Sequence, residues 1–421
     1  MSSLTPLSAP SQQDEPLYFV GIDWAATEHA VCVLDQDGRT TAAFTIAHTA
    51  TGFSALATRL GKLGPVEQIP VAIERPDGRL VDALLEAGHP VMPVKPNAIK
   101  TWRESEAPSG AKSDPGDAAV IADYLRMRIH RLRPATPFTG QTKAVRTVAR
   151  TRGDLVDARV AATNQLAALL DAYWPGAKEI FAKICSPIAL AFLTQYPTAA
   201  SAASLTEHHL AEFCTDQGYS GKKPAAVLLA RLRSAPAGVT DPAHCEGIRA
   251  AILAQVGVLT SLNTAIKTLD RSLAQTMQAH PDGEIFRSFP RAGTINAAQI
   301  LAAWGDARDA FDHPDAVCAL AGITPVTKAS GKQRGVSFRW ACNKRFRVAL
   351  TTFAANSRLA SPWAAEIYDR ARASGKDHPH AVRILARAWV RVMWRCWQNG
   401  TAYDAALHGG ARHRLDQQVA A

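Results

Sequence analysis

The sequence predicts a mixed α/β sheet domain at the N-terminus, then a long helical region and a mainly α C-terminal domain. Three observations predict this order. Short apolar runs alternate with helix-like segments between residues 18 and 127, two long stretches with helical apolar spacing follow, and basic residues concentrate after residue 328. With 421 residues and 47% hydrophobic content, the chain can build two or three packed domains.

The first segment, residues 17–130, carries the pattern of an α/β domain. We predict strands at 18–23, 29–34, 41–47, 68–74 and 90–94, and helices at 51–63, 78–87 and 114–127. The first three strands follow one another closely, which is typical of an antiparallel meander. The later strands are separated by helices, which indicates parallel crossovers. We therefore expect a mixed sheet with flanking helices, of the RNase H kind.

Residues 139–280 form the predicted helical region. Apolar side chains recur at helical spacing over 139–174, and a second stripe over 244–279 steps by three and four residues. Two such helices indicate either an intramolecular hairpin, which we favour, or a coiled coil between subunits that would dimerise the chain. Residues 175–240 between them predict several short helices.

The C-terminal domain is predicted at 284–400, before a tail at 401–421. It begins with a segment, residues 286–304, that resembles a helix-hairpin-helix motif, whose turn donates backbone N–H groups to phosphates. Arg291 stands where the usual Pro-Gly-x-Gly turn has its first glycine. The motif therefore departs from its pattern at one position.

Composition restricts the cellular setting. The seven cysteines are scattered without a Cys-x-x-Cys pair, which argues against zinc or disulfides and fits a reducing cytoplasm. Residues 1–16 predict a disordered leader rather than a signal peptide. We expect no membrane segment, because no apolar stretch reaches the roughly 18 residues that a membrane helix needs.

Positive charge is concentrated near the C-terminus. The net charge is +10, and residues 328–397 alone contain 15 Lys or Arg against 3 acidic residues. A localised basic block is expected of a nucleic-acid-binding protein, although a merely solvated basic surface is the alternative. The cations that we expect to bind nucleic acid are Lys328, Lys332, Arg334, Arg339, Lys344, Arg345, Arg383, Arg387, Arg391 and Arg395. Trp394 and Trp397 could stack on bases, but burial in the core is favoured.

Four acidic residues predict a metal site in the first segment. Asp23 and Glu74 end two predicted strands, while Asp114 and Asp117 begin a predicted helix. Carboxylates on rigid elements suit Mg²⁺, and two such ions can support phosphoryl transfer. Taken alone, Asp114 and Asp117 also fit a helix start with Asp114 as the N-cap and Pro115 at N1. Together with the other two acids, the metal hypothesis is preferred.

Ser330 is the candidate nucleophile of the C-terminal domain. It lies in a predicted glycine-punctuated loop beside Lys328, Lys332 and Arg334, whose charges could neutralise a phosphate. A loop serine is usually only a turn residue. Neither the phosphate-binding P-loop motif nor the Gly-x-Ser-x-Gly elbow of hydrolases is present.

These motifs resemble one insertion-sequence family. Gly21-Ile-Asp-Trp-Ala, the acid at the end of the Glu74 strand, and Lys112-Ser-Asp-Pro-Gly-Asp117 are similar to the RuvC-like Asp-Glu-Asp-Asp domain of the IS110 transposases and their IS1111 relatives. Ala321-Gly-Ile-Thr-Pro followed by Ser330-Gly-Lys resembles the C-terminal transposase domain of that family. The resemblance covers roughly residues 17–127 and 284–372, in the same order.

The resemblance implies a site-specific DNA recombinase guided by a structured non-coding bridge RNA. It implies that Asp23, Glu74, Asp114 and Asp117 hold Mg²⁺, with a two-ion site possible. It also implies that Ser330 forms a phosphoserine link to DNA while a 3′-hydroxyl leaves. The active subunits would be arranged as a dimer or tetramer, with acidic domain and serine supplied by different copies.

Two other functions stay open from the residues. The first is a metal-dependent nuclease of the junction-resolving kind, which uses water as nucleophile and needs Asp23 but not Ser330. The second is a non-catalytic nucleic-acid-binding or assembly protein in which the acids are structural.

Overall fold

The computed structural model describes residues 15–75, 77–106, 113–330 and 333–406. The chain divides into two compact units, Met1–Pro137 and Phe138–Ala421. The predicted leader lies outside the described residues except for its last two positions, and so does most of the predicted tail. The domain boundaries within the second unit stay predictions.

The first unit is built on a five-stranded mixed sheet. Its strands are β1 (Phe19–Trp24), β2 (Glu28–Leu34), β3 (Thr40–Ala47), β4 (Val71–Ile73) and β5 (Val91–Pro93). The order in the sheet is β3-β2-β1-β4-β5. β1, β2 and β3 pair antiparallel, whereas β4 pairs parallel with both β1 and β5. The predicted meander and parallel crossovers are both confirmed.

Helices cover both faces of this sheet. They are α1 (Ala50–Gly61), α2 (Arg79–Glu86), α3 (Pro96–Glu106) and α4 (Asp114–Arg128). One face packs its Val and Ile side chains against leucines of α1 and α2. The other face, with Ala72, packs against α3 and α4. Strands β1, β2, β4 and β5 are therefore buried on two sides, which explains their near-continuous apolar runs, whereas the edge strand β3 is largely exposed.

Gly21 allows α4 to lie directly on β1. A Cβ atom at this position would stand 2.1 Å from the carbonyl oxygen of Ala118 and 2.3 Å from the backbone nitrogen of Ala122. No side chain fits in that space, so glycine is required for the close approach. The strand residues on either side of Gly21 are thereby fixed relative to the helix.

The second unit is mainly α. Its helices are α5 (Gly140–Tyr173), α6 (Pro175–Glu179), α7 (Pro187–Gln195), α8 (Glu207–Asp216), α9 (Ala225–Ser234), α10 (Pro242–Ala279), α11 (Gly283–Arg287), α12 (Thr294–Trp304), α13 (Pro314–Leu320), α14 (Lys344–Ser357), α15 (Pro362–Ala373) and α16 (His378–Asn399). Two strands, β6 (Val326–Ser330) and β7 (Gln333–Ser337), form an antiparallel hairpin between α13 and α14.

The long helices α5 and α10 pack antiparallel within the chain. Arg152 bonds to Asp270 at 2.6 Å, and Arg159 bonds to Asn263 at 3.4 Å further along. The favoured intramolecular pairing of the two helices is therefore confirmed, whereas a coiled coil between subunits stays a prediction. One end of the pair packs with α6 to α9, and the other end packs with α11 to α16. Val160, part of the predicted stripe of α5, is 52% exposed.

Two structural findings concern the predicted cysteine state and the predicted absence of a membrane segment. None of the seven cysteines, all of which are described, forms a disulfide. Helix α10 is the single described helix that is long and apolar enough to cross a membrane, which the sequence analysis did not foresee. One such helix is weak support for a membrane segment because core helices of soluble proteins share these properties, and its apolar stripe packs in the two cores.

Candidate active site

Asp23 and Glu74 lie side by side at one edge of the sheet. Strands β1 and β4 are parallel neighbours, with Gly21 opposite Ala72. Continuing this register by two residues places Asp23 opposite Glu74, with backbones about 5 Å apart. Gly21 and Ala72 both face α4. Because side chains alternate along a strand, the two carboxylates face the same side.

The first turn of α4 lies over the same edge. Leu125, near the end of α4, packs in one cluster with Phe19 at the start of β1. Helix and strand therefore run antiparallel, so the helix start lies above the strand end that carries Asp23. Asp114 and Asp117 belong to this first turn. The elements thus bring all four predicted acids to one edge of the sheet.

Ser113, rather than Asp114, is the N-cap of α4. The Ser113 hydroxyl accepts a hydrogen bond from the backbone N–H of Gly116 at 3.3 Å. The predicted cap at Asp114 is therefore wrong by one residue, since the serine supplies the oxygen that a cap needs. Asp114 is the first helical residue and is exposed. Its carboxylate is not used in capping, although it still benefits from the helix dipole.

Asp117 is bound by an arginine that the sequence analysis did not single out. The Arg103 guanidinium, on α3, lies 2.6 Å from a carboxylate oxygen of Asp117. Both side chains are largely buried, at 23% and 10% exposed. The Nε atom of Arg103 is buried without a hydrogen-bond partner among the described residues. Asp117 thus has a protein counter-charge in this conformation.

The four carboxylates do not form a closed metal cage in this conformation. Within the described parts of the chain, no group of three or more His, Cys, Asp or Glu side chains is close enough to bind one metal ion. The donor chemistry nevertheless suits Mg²⁺, which prefers a few carboxylates and keeps several waters. The positions of the elements also fit. A metal ion at this edge would compete with Arg103 for the charge of Asp117.

The residues that follow the two strand-end acids contact each other. The Arg75 guanidinium lies 4.0 Å from the ring centroid of Trp24. Asp23 and Glu74 are the preceding residues, so this cation–π contact ties the two strand ends together. Such a contact contributes about 0.5–2 kcal/mol.

His29 and His48 lie next to the Trp24 ring, with ring centroids 6.1 and 6.5 Å from it. His29 is fully buried, and its Nε2 atom lies 2.8 Å from Nδ1 of His48. The Nδ1 atom of His29 accepts a hydrogen bond from the N–H of Ala25 at 3.3 Å. Burial, followed by the neighbouring His48, lowers the pKa of His29 to about 4. The hydrogen-bonded pair thus supports the turn after Asp23.

Ser330 is the last residue of β6, at the end of the hairpin, rather than part of an irregular loop. It pairs with Gln333 across the hairpin. The predicted loop is therefore wrong in its backbone form, because the alternating residues on both sides pair as strands. The side chains of Lys328, Ser330 and Arg334 fall outside the described residues, as do Lys332 and Lys112. Their predicted roles stay predictions.

A groove of about 520 Å³ lies between the base of the hairpin and α16. Arg383, Arg387 and Arg391 line one side of it, and Arg339 lines the other. Arg387 and Arg391 lie 3.7 and 3.5 Å from a carboxylate oxygen of Asp315. One acid therefore neutralises part of the arginine row, and the remaining positive charge faces the groove.

The other predicted cations differ in their surroundings. Arg345 pairs with Asp154 of α5, and Arg339 donates to the backbone oxygen of Thr324 at 3.3 Å. Lys344 and Arg395 are exposed. Arg345 therefore has a structural partner, whereas Lys344 and Arg395 present charge to solvent.

The tryptophans of α16 are mainly core residues. Trp389 and Trp397 are fully buried. Their indole N–H groups donate to the hydroxyl of Ser357 at 2.8 Å and to the carboxylate of Asp282 at 3.2 Å. Trp394 is half-buried and packs against the same core. The favoured burial is therefore confirmed for Trp397, and Trp394 is only partly buried.

The turn before α12 keeps a left-handed backbone despite its substitution. Arg291 has φ 57°, the single positive φ among the described non-glycine residues, and Gly293 has φ 64°. Both positions of the Pro-x-x-Gly turn therefore adopt glycine-like conformations, and the arginine carries the strain. The turn therefore departs from the motif in the side chain at position 291 and keeps the backbone conformation of the motif.

Two family models match the chain. Residues 20–175 match a DEDD model of IS110 that is described as a transposase, and residues 283–369 match the model for the transposase IS116/IS110/IS902 family. The mini-circle putative transposase for IS117 from Streptomyces coelicolor is 33% identical over 402 residues, which cover 93% of this chain and 96% of the relative. The chain belongs to the IS116/IS110/IS902 family of transposases.

Further relatives of this transposase are also insertion-element proteins. The IS900 42 kDa protein of Mycobacterium paratuberculosis is 26% identical over 92% of this chain and 97% of its own length. The IS110 43.6 kDa protein of Streptomyces coelicolor is 26% identical over 72% of this chain and 75% of its own length. As a member of a transposase family, the protein is an enzyme that acts on DNA.

The two matched regions contain the two candidate centres of this transposase. The first includes Asp23, Glu74, Asp114 and Asp117, and the second includes Ser330. The arginine row of α16 lies beyond the second match. Sequence reasoning missed Arg103, and no local signal marks it, because its contact depends on how α3 docks against α4.

Proposed function

We propose that this transposase is an RNA-guided, site-specific DNA recombinase that works through a phosphoserine. Ser330 would be the nucleophile, and Asp23, Glu74, Asp114 and Asp117 would hold Mg²⁺. A structured bridge RNA would select donor and target DNA by base pairing. The enzyme would act as a dimer or tetramer on DNA of the bacterial nucleoid, in the cytoplasm.

The observation that carries this proposal is the placement of the four acids. The register of β1 with β4 and the antiparallel docking of α4 bring four carboxylates to one sheet edge. Charge repulsion makes such a concentration of acids costly unless a cation compensates it. Arg103 compensates Asp117 in this conformation. A divalent cation is the compensation that also supports phosphoryl transfer.

The arrangement of elements supports the finer fold assignment. The order β3-β2-β1-β4-β5, with three antiparallel strands and two parallel ones, is consistent with an RNase H-like (RuvC-like) domain. The antiparallel pair α5 and α10 is consistent with a coiled-coil module through which copies of the chain associate. Both assignments belong to this proposal.

The proposed reaction conserves the energy of the phosphodiester bond. The Ser330 Oγ attacks the scissile phosphorus, the P–O3′ bond breaks, the hydroxyl loses its proton and the departing O3′ gains one. When bound, Mg²⁺ would supply charge stabilisation and lower the pKa of the attacking hydroxyl. A new 3′-hydroxyl then attacks the phosphoserine, so that a P–O3′ bond forms and the bond to Ser330 Oγ breaks. The proton of the attacking hydroxyl is released and the serine hydroxyl regains one, without ATP.

The chain's own cations would orient the DNA. Backbone positions of Lys328 and Arg334 lie on the two hairpin strands near Ser330. The groove at the hairpin base adds Arg383 and Arg387. Phosphate contacts of this kind fix register and position but carry no sequence information. A base-pairing RNA is a partner that would supply that information.

Ser330→Ala tests the nucleophile against the water-using nuclease. Ser337→Ala is the matched control, because Ser337 ends β7 of the same hairpin. We expect Ser330→Ala to abolish protein–DNA adducts and recombination while DNA and RNA binding persist, and Ser337→Ala to retain all of these. Cleavage that continues in Ser330→Ala would favour the nuclease. If Asp23→Asn and Ser330→Ala both keep full activity, the acids and serine are structural.

A further inference from the structure

Trp340 is the most exposed of the large apolar side chains in the described residues. Its exposed fraction is 77%, compared with 1% for Trp304 and 0% for Trp389 and Trp397. It follows the serine hairpin by three residues. Because the indole ring is large, an exposed tryptophan leaves a large apolar surface in contact with water, which is unfavourable. Such a residue at the base of the hairpin indicates a binding role.

The surroundings of Trp340 leave its ring accessible. The ring contacts Phe338 at 4.9 Å between centroids, with the planes 78° apart, so this neighbour covers at most one face. Phe338 itself lies between two guanidinium groups, those of Arg347 at 4.3 Å and Arg383 at 5.0 Å. The ring of Phe338 therefore already makes cation–π contacts, whereas the ring of Trp340 is exposed to solvent.

The charge around Trp340 selects the kind of partner. Phe338, which contacts Trp340, carries the guanidinium groups of Arg347 and Arg383 on its ring. Along the sequence, residues 316–365 contain eight Lys or Arg and no Asp or Glu, between Asp315 and Glu366. An apolar protein surface would have to desolvate these cations, which is costly. A nucleic acid offers both complements at once, since phosphates pair with the cations and the flat bases stack on the indole ring.

We propose that Trp340 is a stacking platform for an unpaired base of DNA bound along the serine hairpin. The choice of DNA rests on the proposed function, in which the hairpin carries the nucleophile to a DNA phosphate. Ser330 ends β6 at the tip of the hairpin, whereas Trp340 follows the end of β7 at its base by three residues. The platform holds DNA unstacked beside the exchange point.

The experiment measures binding of the full-length protein to two DNA duplexes of one sequence. One is fully paired, and the other carries a single bulged 2-aminopurine, whose fluorescence falls when it stacks on an indole. The variants are Trp340→Ala and Trp340→Phe. Leu359→Ala is the control, because Leu359 is also exposed, at 61%, but follows the far end of α14.

We expect Trp340→Ala to weaken binding of the bulged duplex by at least about 5-fold and to abolish the fluorescence change. The paired duplex should lose less than about 2-fold, Trp340→Phe should retain most of the affinity, and Leu359→Ala should change neither. An equal loss on both duplexes, or no loss, overturns the proposal. So does a loss confined to a bulged RNA of the same sequence, or a change in oligomeric state without a change in DNA binding.

The result is separable from that of the proposed function. Binding needs no catalysis, so the duplexes are also measured with Ser330→Ala. Recombination that persists in Ser330→Ala contradicts the nucleophile assignment while Trp340 stacking still stands. A stacking signal that persists in Trp340→Ala contradicts the platform alone.

Discussion

Arg103 sets the local charge at the carboxylate edge of the sheet. It binds Asp117 at 2.6 Å in a largely buried pair. Such pairs persist because removing one partner leaves an uncompensated charge. A divalent cation at the same edge would compensate Asp117 instead. Arginine and metal therefore compete for one carboxylate.

Changing Arg103 should ease metal binding. We expect Arg103→Gln to lower the Mg²⁺ concentration for half-maximal DNA cleavage about 5- to 30-fold, which corresponds to about 1–2 kcal/mol for a partly screened ion pair. Arg126→Gln is the control, because Arg126 pairs with Asp123 at 2.9 Å near the other end of α4. A higher Mg²⁺ requirement in Arg103→Gln would show instead that the arginine positions Asp117 for the metal.

Arg387 should contribute one phosphate contact from the groove beside the hairpin. We expect Arg387→Ala to weaken nucleic-acid binding uniformly across sequences and to reduce the slope of log affinity against log salt by about 0.7–0.9. Arg358→Ala serves as the matched control, since Arg358 stacks on Tyr368 at 4.8 Å instead of lining the groove. An unchanged salt slope in Arg387→Ala would exclude a phosphate contact there.

At the scale of elements, side-chain contacts stabilise the ends of β1 and β4. The Trp24–Arg75 contact joins the two strand ends, and the His29–His48 pair supports the turn after β1. His29 has its pKa lowered to about 4, whereas an unfolded histidine titrates near 6.5. The unfolded chain therefore binds an extra proton between these values, so stability falls as the pH drops from about 6.5 toward 4.

This linkage gives a pH prediction for the sheet. Between about pH 7.5 and pH 5, the stability of the first unit should fall by about 2 kcal/mol through His29 alone. His29→Gln should remove most of this difference, whereas His130→Gln, at an exposed histidine of the same unit, should leave it. Urea unfolding with pulsed hydrogen exchange of β1 and β2 peptides measures it. Identical pH dependence in wild type and His29→Gln would show that His29 does not titrate as stated.

Local patterns predicted the elements of the sheet better than their ends. Runs of apolar residues predicted all five strands, because the residues of one strand are consecutive in the sequence. β4 begins at Val71 rather than at residue 68, since Pro70 has no N–H for the ladder. Helix α3 was missed because Ile99 is the single fully buried side chain among its described residues, which leaves no apolar stripe to detect.

The site was predictable where it depends on strand ends and not where it depends on docking. Asp23 and Glu74 follow apolar runs, so their meeting at one edge could be expected from topology. The Arg103 contact, the cap at Ser113 and the hairpin form around Ser330 could not. Each of these features has several polar residues nearby in the sequence that could fill the role. Tertiary packing determines which one does.

At the scale of the whole molecule, the two candidate centres lie in different compact units. Asp23 belongs to Met1–Pro137, and Ser330 belongs to Phe138–Ala421. The proposed function requires both in one reaction. In an oligomer, the acids and the serine of one active site can come from different copies.

Mixing two inactive variants tests this arrangement. If the centres come from different copies, Asp23→Asn mixed with Ser330→Ala should regain part of wild-type recombination, because some sites receive intact acids from one variant and an intact serine from the other. Each variant alone should be inactive. A mixture as inactive as its components, with subunit exchange verified by labelled chains, would place both centres in one copy.

The most direct measurement is mass spectrometry of the protein after reaction with DNA and Mg²⁺ and digestion by nuclease and protease. We expect a nucleotide joined by a phosphodiester bond to the Ser330 hydroxyl. The adduct should be absent when Asp23→Asn replaces the wild-type chain. Active recombination with no adduct, or with the nucleotide on a different residue, would contradict the account.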